Sequence, residues 1–127
     1  MAGFGKAPEI ISSEQLGMQG IKVAVATEDG SAGYHGLVIG LLEEGLAGRG
    51  KKIIYSCGPA AMLKRVASLC LAKHVDCQVS LETVMACGLG ACQGCAVPAA
   101  TESGRSFYHV CRDGPVFSAV SIDWENL

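Results

Sequence analysis

Apolar and polar positions alternate from Ile21 to Thr27 at the end of a β-branched run, which predicts a strand. Turn chemistry closes it at Glu28-Asp29-Gly30-Ser31. From Gly36 to Gly45 the rhythm changes. Leu37, Val38, Leu41 and Leu42 form the stripe of an amphipathic helix, and Gly48 and Gly50 follow its end. Lys52 to Cys57 reads as a second, buried strand running straight into Gly58-Pro59. A helix is predicted to start near Pro59, with Met62, Leu63, Val66, Leu69, Cys70 and Lys73 on one face. Earlier in the chain, Pro8 to Leu16 reads as a short helix stopped by Gly17. Strand, helix, strand and helix in this order are the grammar of a parallel α/β sheet.

After Val75 the grain changes. Cys77 to Glu82 reads as a strand, Met85 to Cys95 as a glycine- and cysteine-rich loop, and Ala96-Val97-Pro98 as a short strand. Thr101 to Arg105 turns, Ser106 to Cys111 returns as a strand, and Val116 to Trp124 is a final alternating stretch. The expected organisation is therefore two parts: an α/β part over residues 1–75 and a small, mainly β part over residues 76–127.

Composition narrows the possibilities. A chain of 127 residues, half of them hydrophobic, can build a core. The formal net charge is −2 and the basic residues form no run, which argues against nucleic acid as a partner. No apolar stretch approaches the roughly 20 residues that span a bilayer, and the N-terminus lacks the layout of a signal peptide. These features predict a cytoplasmic chain without a membrane partner. Structural disulfides are rare in that compartment, so seven cysteines need another explanation.

Four of them supply one. Cys87, Cys92 and Cys95 stand at C-x4-C-x2-C spacing, and Cys111 follows 16 positions later. This is the plant-type spacing for a [2Fe–2S] cluster. Each iron takes two thiolates, and the bridging sulfides accept hydrogen bonds from backbone N–H groups. A loop that turns its amides inward needs residues with positive φ. Gly88, Gly90 and Gly94 lie where those turns are expected. Leu89 and Ala91, apolar and small, are expected to shield the cluster. Zinc held by the same four cysteines is the competing reading, and bare thiols or a disulfide are weaker ones.

The stretches Val79-Ser80-Leu81-Glu82, Met85 to Cys95 and Val110 to Phe117 together resemble the electron-transfer subunit of the NAD-linked dihydroorotate dehydrogenases. Upstream, Val25 to Ser31 with Gly33 and Gly36, and Cys57-Gly58-Pro59 with Met62, resemble the later part of that subunit's NAD-binding domain, of the ferredoxin-reductase-like superfamily. The resemblance implies a partial NAD-binding domain over residues 1–75 and a cluster domain over 76–127. It also implies one [2Fe–2S] cluster, FAD and NAD in the full-length family, and an FMN-containing catalytic subunit as partner in pyrimidine synthesis. Thr27, Asp29, Gly30, Ser31, Cys57, Gly58, Pro59 and Met62 are the nucleotide-side residues it implies. The flavin-binding barrel, the first strand and the glycine-rich turn of the family have no counterpart here. The chain thus reads as a C-terminal part, with a separate N-terminal FAD-binding half as a further expected partner.

Two alternatives stay open beside this reading: the same module serving another flavin and iron–sulfur oxidoreductase, and a zinc-stapled interaction module. Relatives serving other flavoproteins are expected to depart from four cysteines, and all four are present here. A plain turn explains Thr27 to Ser31 equally well, and Cys57 can be a small residue before a helix. Cys70 and Cys77 read as structural, His109 as a strand residue, and Phe117 and Trp124 as packing residues.

Overall fold

Parallel strand pairs occur in both halves of the chain, joined in the second by antiparallel ones. The computed structural model describes residues 1–11, 22–48 and 50–127. It contains two compact units, Met1–Arg49 and Gly50–Leu127.

The first unit holds a three-stranded sheet of β1 (Ala2–Phe4), β2 (Val25–Thr27) and β3 (Tyr34–His35), in that order and parallel throughout. Helix α1 (Val38–Leu46) follows. Gly3 lets α1 come close, since a Cβ there would lie 2.8 Å from Val38 Cβ. Ala26 and Thr27 are fully buried. The strand predicted from Ile21 is observed only as Val25–Thr27, and Ile21 itself lies outside the described residues. Of the helix expected over Pro8 to Leu16, a 3-10 turn spans Ala7–Glu9; positions 12–16 and Gly17 lie outside the described residues. Strand β1 was not anticipated. Its glycine-rich sequence has little strand preference, and its pairing is long-range.

The second unit is built on a βαβ element. Strand β4 (Ile53–Cys57) and β5 (Asp76–Ser80) pair in parallel over five positions, from Ile53↔Asp76 to Cys57↔Ser80. Helix α2 (Ala60–Ala72) makes the crossover and buries Leu63, Val66, Ala67 and Cys70. Burial of four such side chains contributes several kcal/mol, at about 25 cal/mol per Å² of apolar surface. Cys77 and Val79 supply the sheet's side of that core. Burial pushes the Cys77 thiol up to about 12 and that of neighbouring Cys70 upward, so both are inert packing residues.

A hairpin of β6 (Ala96–Pro98) and β7 (Phe107–His109) follows, then a single helical turn, α3 (Val110–Asp113). Strand β8 (Val116–Ser118) returns antiparallel to β5. Phe117 is buried with its ring centroid 5.3 Å from that of Tyr108, and Trp124 Nε1 donates to the Ala119 carbonyl. Two expectations need correction. The strand read over Ser106 to Cys111 ends at His109, and the last alternating stretch is strand only to Ser118. The compact units divide at 49/50, because β4 and α2 stay with the strand they pair with and pack upon. Among the described residues no helix is long and apolar enough to cross a membrane.

Candidate metal centre

After β5 the chain is pinned by buried Leu81, whose N–H donates to the Pro115 carbonyl at 3.0 Å. It then leaves the core, exposing Val84 and Met85, and returns at Cys95, which is 2 % exposed. Between these points the backbone reverses at Gly88 (φ 69°), Gly90 (φ 75°) and Gln93 (φ 60°). Glycine meets the first two reversals at no steric cost. The third falls on Gln93, not on Gly94 as expected. Gly94 instead sits beside a candidate ligand: a Cβ there would lie 3.6 Å from Cys92 Sγ. Leu89 and Ala91 are exposed, so they do not shield the loop as expected. Leu89 lies between two positive-φ glycines, which turn its amide inward and its side chain out.

That inward amide has an acceptor. Leu89 N–H and Cys92 N–H both donate to Cys87 Sγ, each at 3.4 Å. The Cys92 amide first, then the Leu89 amide and the Cys92 thiol, hold the Cys87 thiol down at about 6, against an ordinary 9.0. Cys87 is thus a thiolate near neutrality, the form that binds metal.

Cys95 and Cys111 meet for a topological reason. The β6–β7 register sets Ala96 opposite His109, and Val110 N–H extends the ladder by donating to the Cys95 carbonyl at 3.1 Å. Residues 16 apart in sequence therefore sit side by side, their sulfurs 3.2 Å apart. The Cys111 amide holds Cys95 down, while the hydrogen bond with Cys95 pushes Cys111 up. The four sulfurs form two pairs, 87 with 92 and 95 with 111. Among the described residues no group of three or more His, Cys, Asp or Glu side chains is arranged to hold a metal ion, so the two pairs are not drawn together as one site. Two thiolates for each of two irons, with amides aimed at sulfur, is the donor set of a [2Fe–2S] cluster, so the residues fit that group.

Sequence reasoning missed the residue that closes the α3 turn. Asp113 accepts the His109 N–H at 2.8 Å, Arg112 Nε at 3.1 Å and Arg112 Nη2 at 3.3 Å. Arg112, then the His109 amide, keep its carboxyl below the usual range. The contact resembles a capping box but lacks its sequence signature, since the N-cap is His109 and the carboxylate comes four residues on, so no local pattern announces it. His109 turns its ring toward this carboxylate, at 3.8 Å, rather than standing as a ligand.

The residues expected on the nucleotide side fall in two places. In the first unit, Thr27, Asp29, Gly30 and Ser31 share one turn. The Thr27 hydroxyl is buried and occupied by the Ala32 backbone, donating to its carbonyl at 2.7 Å and accepting its N–H at 3.0 Å. Asp29 accepts both the N–H and the hydroxyl of Ser31. In the second unit, Cys57 is exposed at the carboxyl end of β4, with Gly58 and Pro59 leading into α2. Met62 covers Gly58, where any side chain would strike its methyl group. Glu82, also missed, faces Cys57 with Oε1 3.8 Å from Sγ. A cleft of about 210 Å³ opens here, bordered by Gly58, Pro59, Glu82 and Thr83, and open α/β sheets bind ligands at such strand ends.

Comparison with known proteins adds to this geometry. Residues 82–123 match the family model of the iron–sulfur cluster binding domain of dihydroorotate dehydrogenase B. The chain is 48 % identical over 101 residues to the dihydroorotate dehydrogenase B (NAD(+)) electron transfer subunit of Caldanaerobacter subterraneus subsp. tengcongensis, covering 80 % of this chain and 40 % of that protein. It is 41 % identical over 120 residues to the subunit of the same name from Listeria monocytogenes, covering 94 % and 45 %. Among solved structures, an NADH-dependent reduced ferredoxin–NADP oxidoreductase superposes with a TM-score of 0.82 at 27 % identity, covering 98 % of this chain and 44 % of that one. The chain spans less than half the length of these relatives.

Proposed function

We propose that Cys87, Cys92, Cys95 and Cys111 hold one [2Fe–2S] cluster, a reading supported by the match of residues 82–123 to the family model of the iron–sulfur cluster binding domain of dihydroorotate dehydrogenase B. The observation that carries this reading is the arrangement of four sulfurs as two pairs, with two backbone amides on Cys87. When bound, such a cluster takes up and gives back one electron at a time. The chain's own residues do the rest. The Leu89 and Cys92 amides stabilise negative charge on sulfur. Buried Cys95, Val97 and Val110 keep water from one side, and the β6–β7 hairpin fixes the distance between the last two ligands. No side chain need transfer a proton or a group.

The same reading makes the chain the electron-transfer part of a dihydroorotate dehydrogenase in pyrimidine synthesis. It would dock on an FMN-containing catalytic subunit and communicate with FAD and NAD+. Thr27, Asp29, Gly30 and Ser31 in one unit, and Cys57, Gly58, Pro59 and Met62 in the other, are its nucleotide-side residues. A separate N-terminal FAD-binding half belongs to the same proposal. The 27 % identity to the ferredoxin–NADP oxidoreductase favours one second reading, in which the same module serves another flavoprotein.

Anaerobic reconstitution with iron and sulfide tests the cluster. About two irons and two sulfides per chain, a red-brown colour and a rhombic EPR signal on reduction are expected. Zinc at equal loading with no visible absorption overturns it. Reduction of the loaded chain by dihydroorotate and an FMN-containing catalytic subunit, and not by that subunit alone, separates the pyrimidine enzyme from the second reading.

A further inference from the structure

We infer that Asp113 and Arg112 are positioning residues for the cluster: Asp113 locks the turn that presents Cys111, and holds the Arg112 guanidinium beside Gly90 of the cluster loop. The inference rests on the four-cysteine reading above.

The turn is short. α3 has only four residues, and Cys111 is its second. So short a helix cannot hold itself by its own hydrogen bonds, because the orphan groups at its ends outnumber the bonds it makes. Two outside ties hold it. Val110, fully buried, anchors its first position, and its N–H continues the hairpin ladder. Asp113 supplies the second tie by accepting the N–H of His109, the residue that heads the turn, at 2.8 Å. That closes a loop of backbone around Cys111 and fixes where its sulfur points.

The same carboxylate orients Arg112. Its two oxygens take Nε and Nη2 of the guanidinium, which leaves the arginine stem and Nη1 free to lie beside the cluster loop. A Cβ on Gly90 would touch Arg112 Cδ and Nη1, each at 3.6 Å. A cation at this place favours the more negative, reduced form of a cluster, so its loss lowers the potential. Because the Arg112 side chain is 57 % exposed, water screens much of the effect.

The test uses the full chain reconstituted with iron and sulfide, titrated with dithionite and mediators and read by EPR. Arg112→Gln is expected to load fully and to be about tenfold harder to reduce, or about 59 mV lower for one electron. Arg112→Lys, which keeps the charge, is expected to recover at least half of that shift. Asp113→Ala is expected to lose its cluster in air at least threefold faster. Asp113→Asn, which still offers an oxygen to His109 N–H, is expected to stay within twofold of the parent. A loaded Arg112→Gln chain whose reduction changes by less than twofold, or an Arg112→Lys chain that shifts as far as Gln, overturns the role of Arg112. An Asp113→Ala chain that keeps its cluster as long as the parent overturns that of Asp113. A parent chain that takes up no iron and sulfide overturns the cluster reading itself, and is told apart by that result alone.

Discussion

In the metal-free chain Cys87 should react as a thiolate from about pH 6 upward. Two amides and the Cys92 thiol hold its pKa at about 6, while an ordinary thiol titrates near 9.0. At pH 7 a thiol with the lower value is about nine-tenths ionised, and one with the ordinary value about one-hundredth. The thiolate fraction is then about 90-fold larger. Nucleophilicity falls with basicity, with a slope of about 0.4–0.5, and costs about 20-fold over three units. The net gain in alkylation rate is only about fourfold, so the pH midpoint, not the rate, is the discriminating quantity. Pulses of iodoacetamide between pH 5 and 9, read cysteine by cysteine with tandem mass spectrometry, give it. Cys87 should reach half-maximal labelling near pH 6, and Cys111, whose pKa is raised, should come later. Since amides contribute more than the Cys92 thiol, Cys92→Ser should keep most of the depression. A Cys87 midpoint above pH 8, or one that returns there in Cys92→Ser, refutes the reasoning. The sign for folding follows. With the folded pKa below the unfolded one, this thiol's stabilising contribution is complete above about pH 9 and is lost as pH falls through about 6.

Leu63 is 1 % exposed on α2, so Leu63→Ala should cost about 2–5 kcal/mol in urea unfolding, whereas Leu71→Ala, at 65 % exposed, should change stability by less than about 0.5 kcal/mol. Gly33 sits at φ 67° with the Val25 carbonyl where a Cβ would go, so Gly33→Ala should speed amide exchange at Ala26 and Gly36, which belong to the same sheet and turn. Gly88 has the same sign of φ but open space around it. Gly88→Ala should therefore cost only about 1–2 kcal/mol and leave cluster uptake intact, while Gly114→Ala, which would drive a methyl into the Phe117 ring, should cost more; chemical unfolding of both variants checks the order.

What was legible in the sequence was what local pattern decides. Ile53-Ile54-Tyr55 before Gly58-Pro59, and the apolar face from Leu63 to Cys70, mark β4 and α2 because a β-branched run and an amphipathic helix each carry their own pattern, but β4 is not the buried strand expected: it lies at the end of its sheet with Ile53 and Tyr55 exposed. Pairing is different. Strand β1 exists because Ala2–Phe4 meets Val25–Thr27, a partner more than 20 residues away, and nothing in Ala-Gly-Phe announces it. The division between the compact units is likewise set by pairing. Composition changes after Val75, but the hydrogen bonds of β4 and β5 run across that change.

At the proposed metal centre the candidate ligands are legible and their supports are not. Spacing singles out Cys87, Cys92, Cys95 and Cys111, since a cluster restricts ligand positions more tightly than any side chain around it. Which residues reverse the loop is a finer question. Gln93 takes a left-handed conformation that composition would give to Gly94, and the glycines flanking Leu89 turn an apolar side chain toward water. The continuation of the β7 pattern into Val110 and Cys111 reads as strand until Asp113 is seen to fold back on His109. A strand would alternate Val110 and Cys111 to opposite faces and stretch the ligand away from its partner. The helical turn keeps Val110 in the core while Cys111 stays 3.2 Å from Cys95, so the departure from the apolar pattern is what makes the second sulfur pair possible.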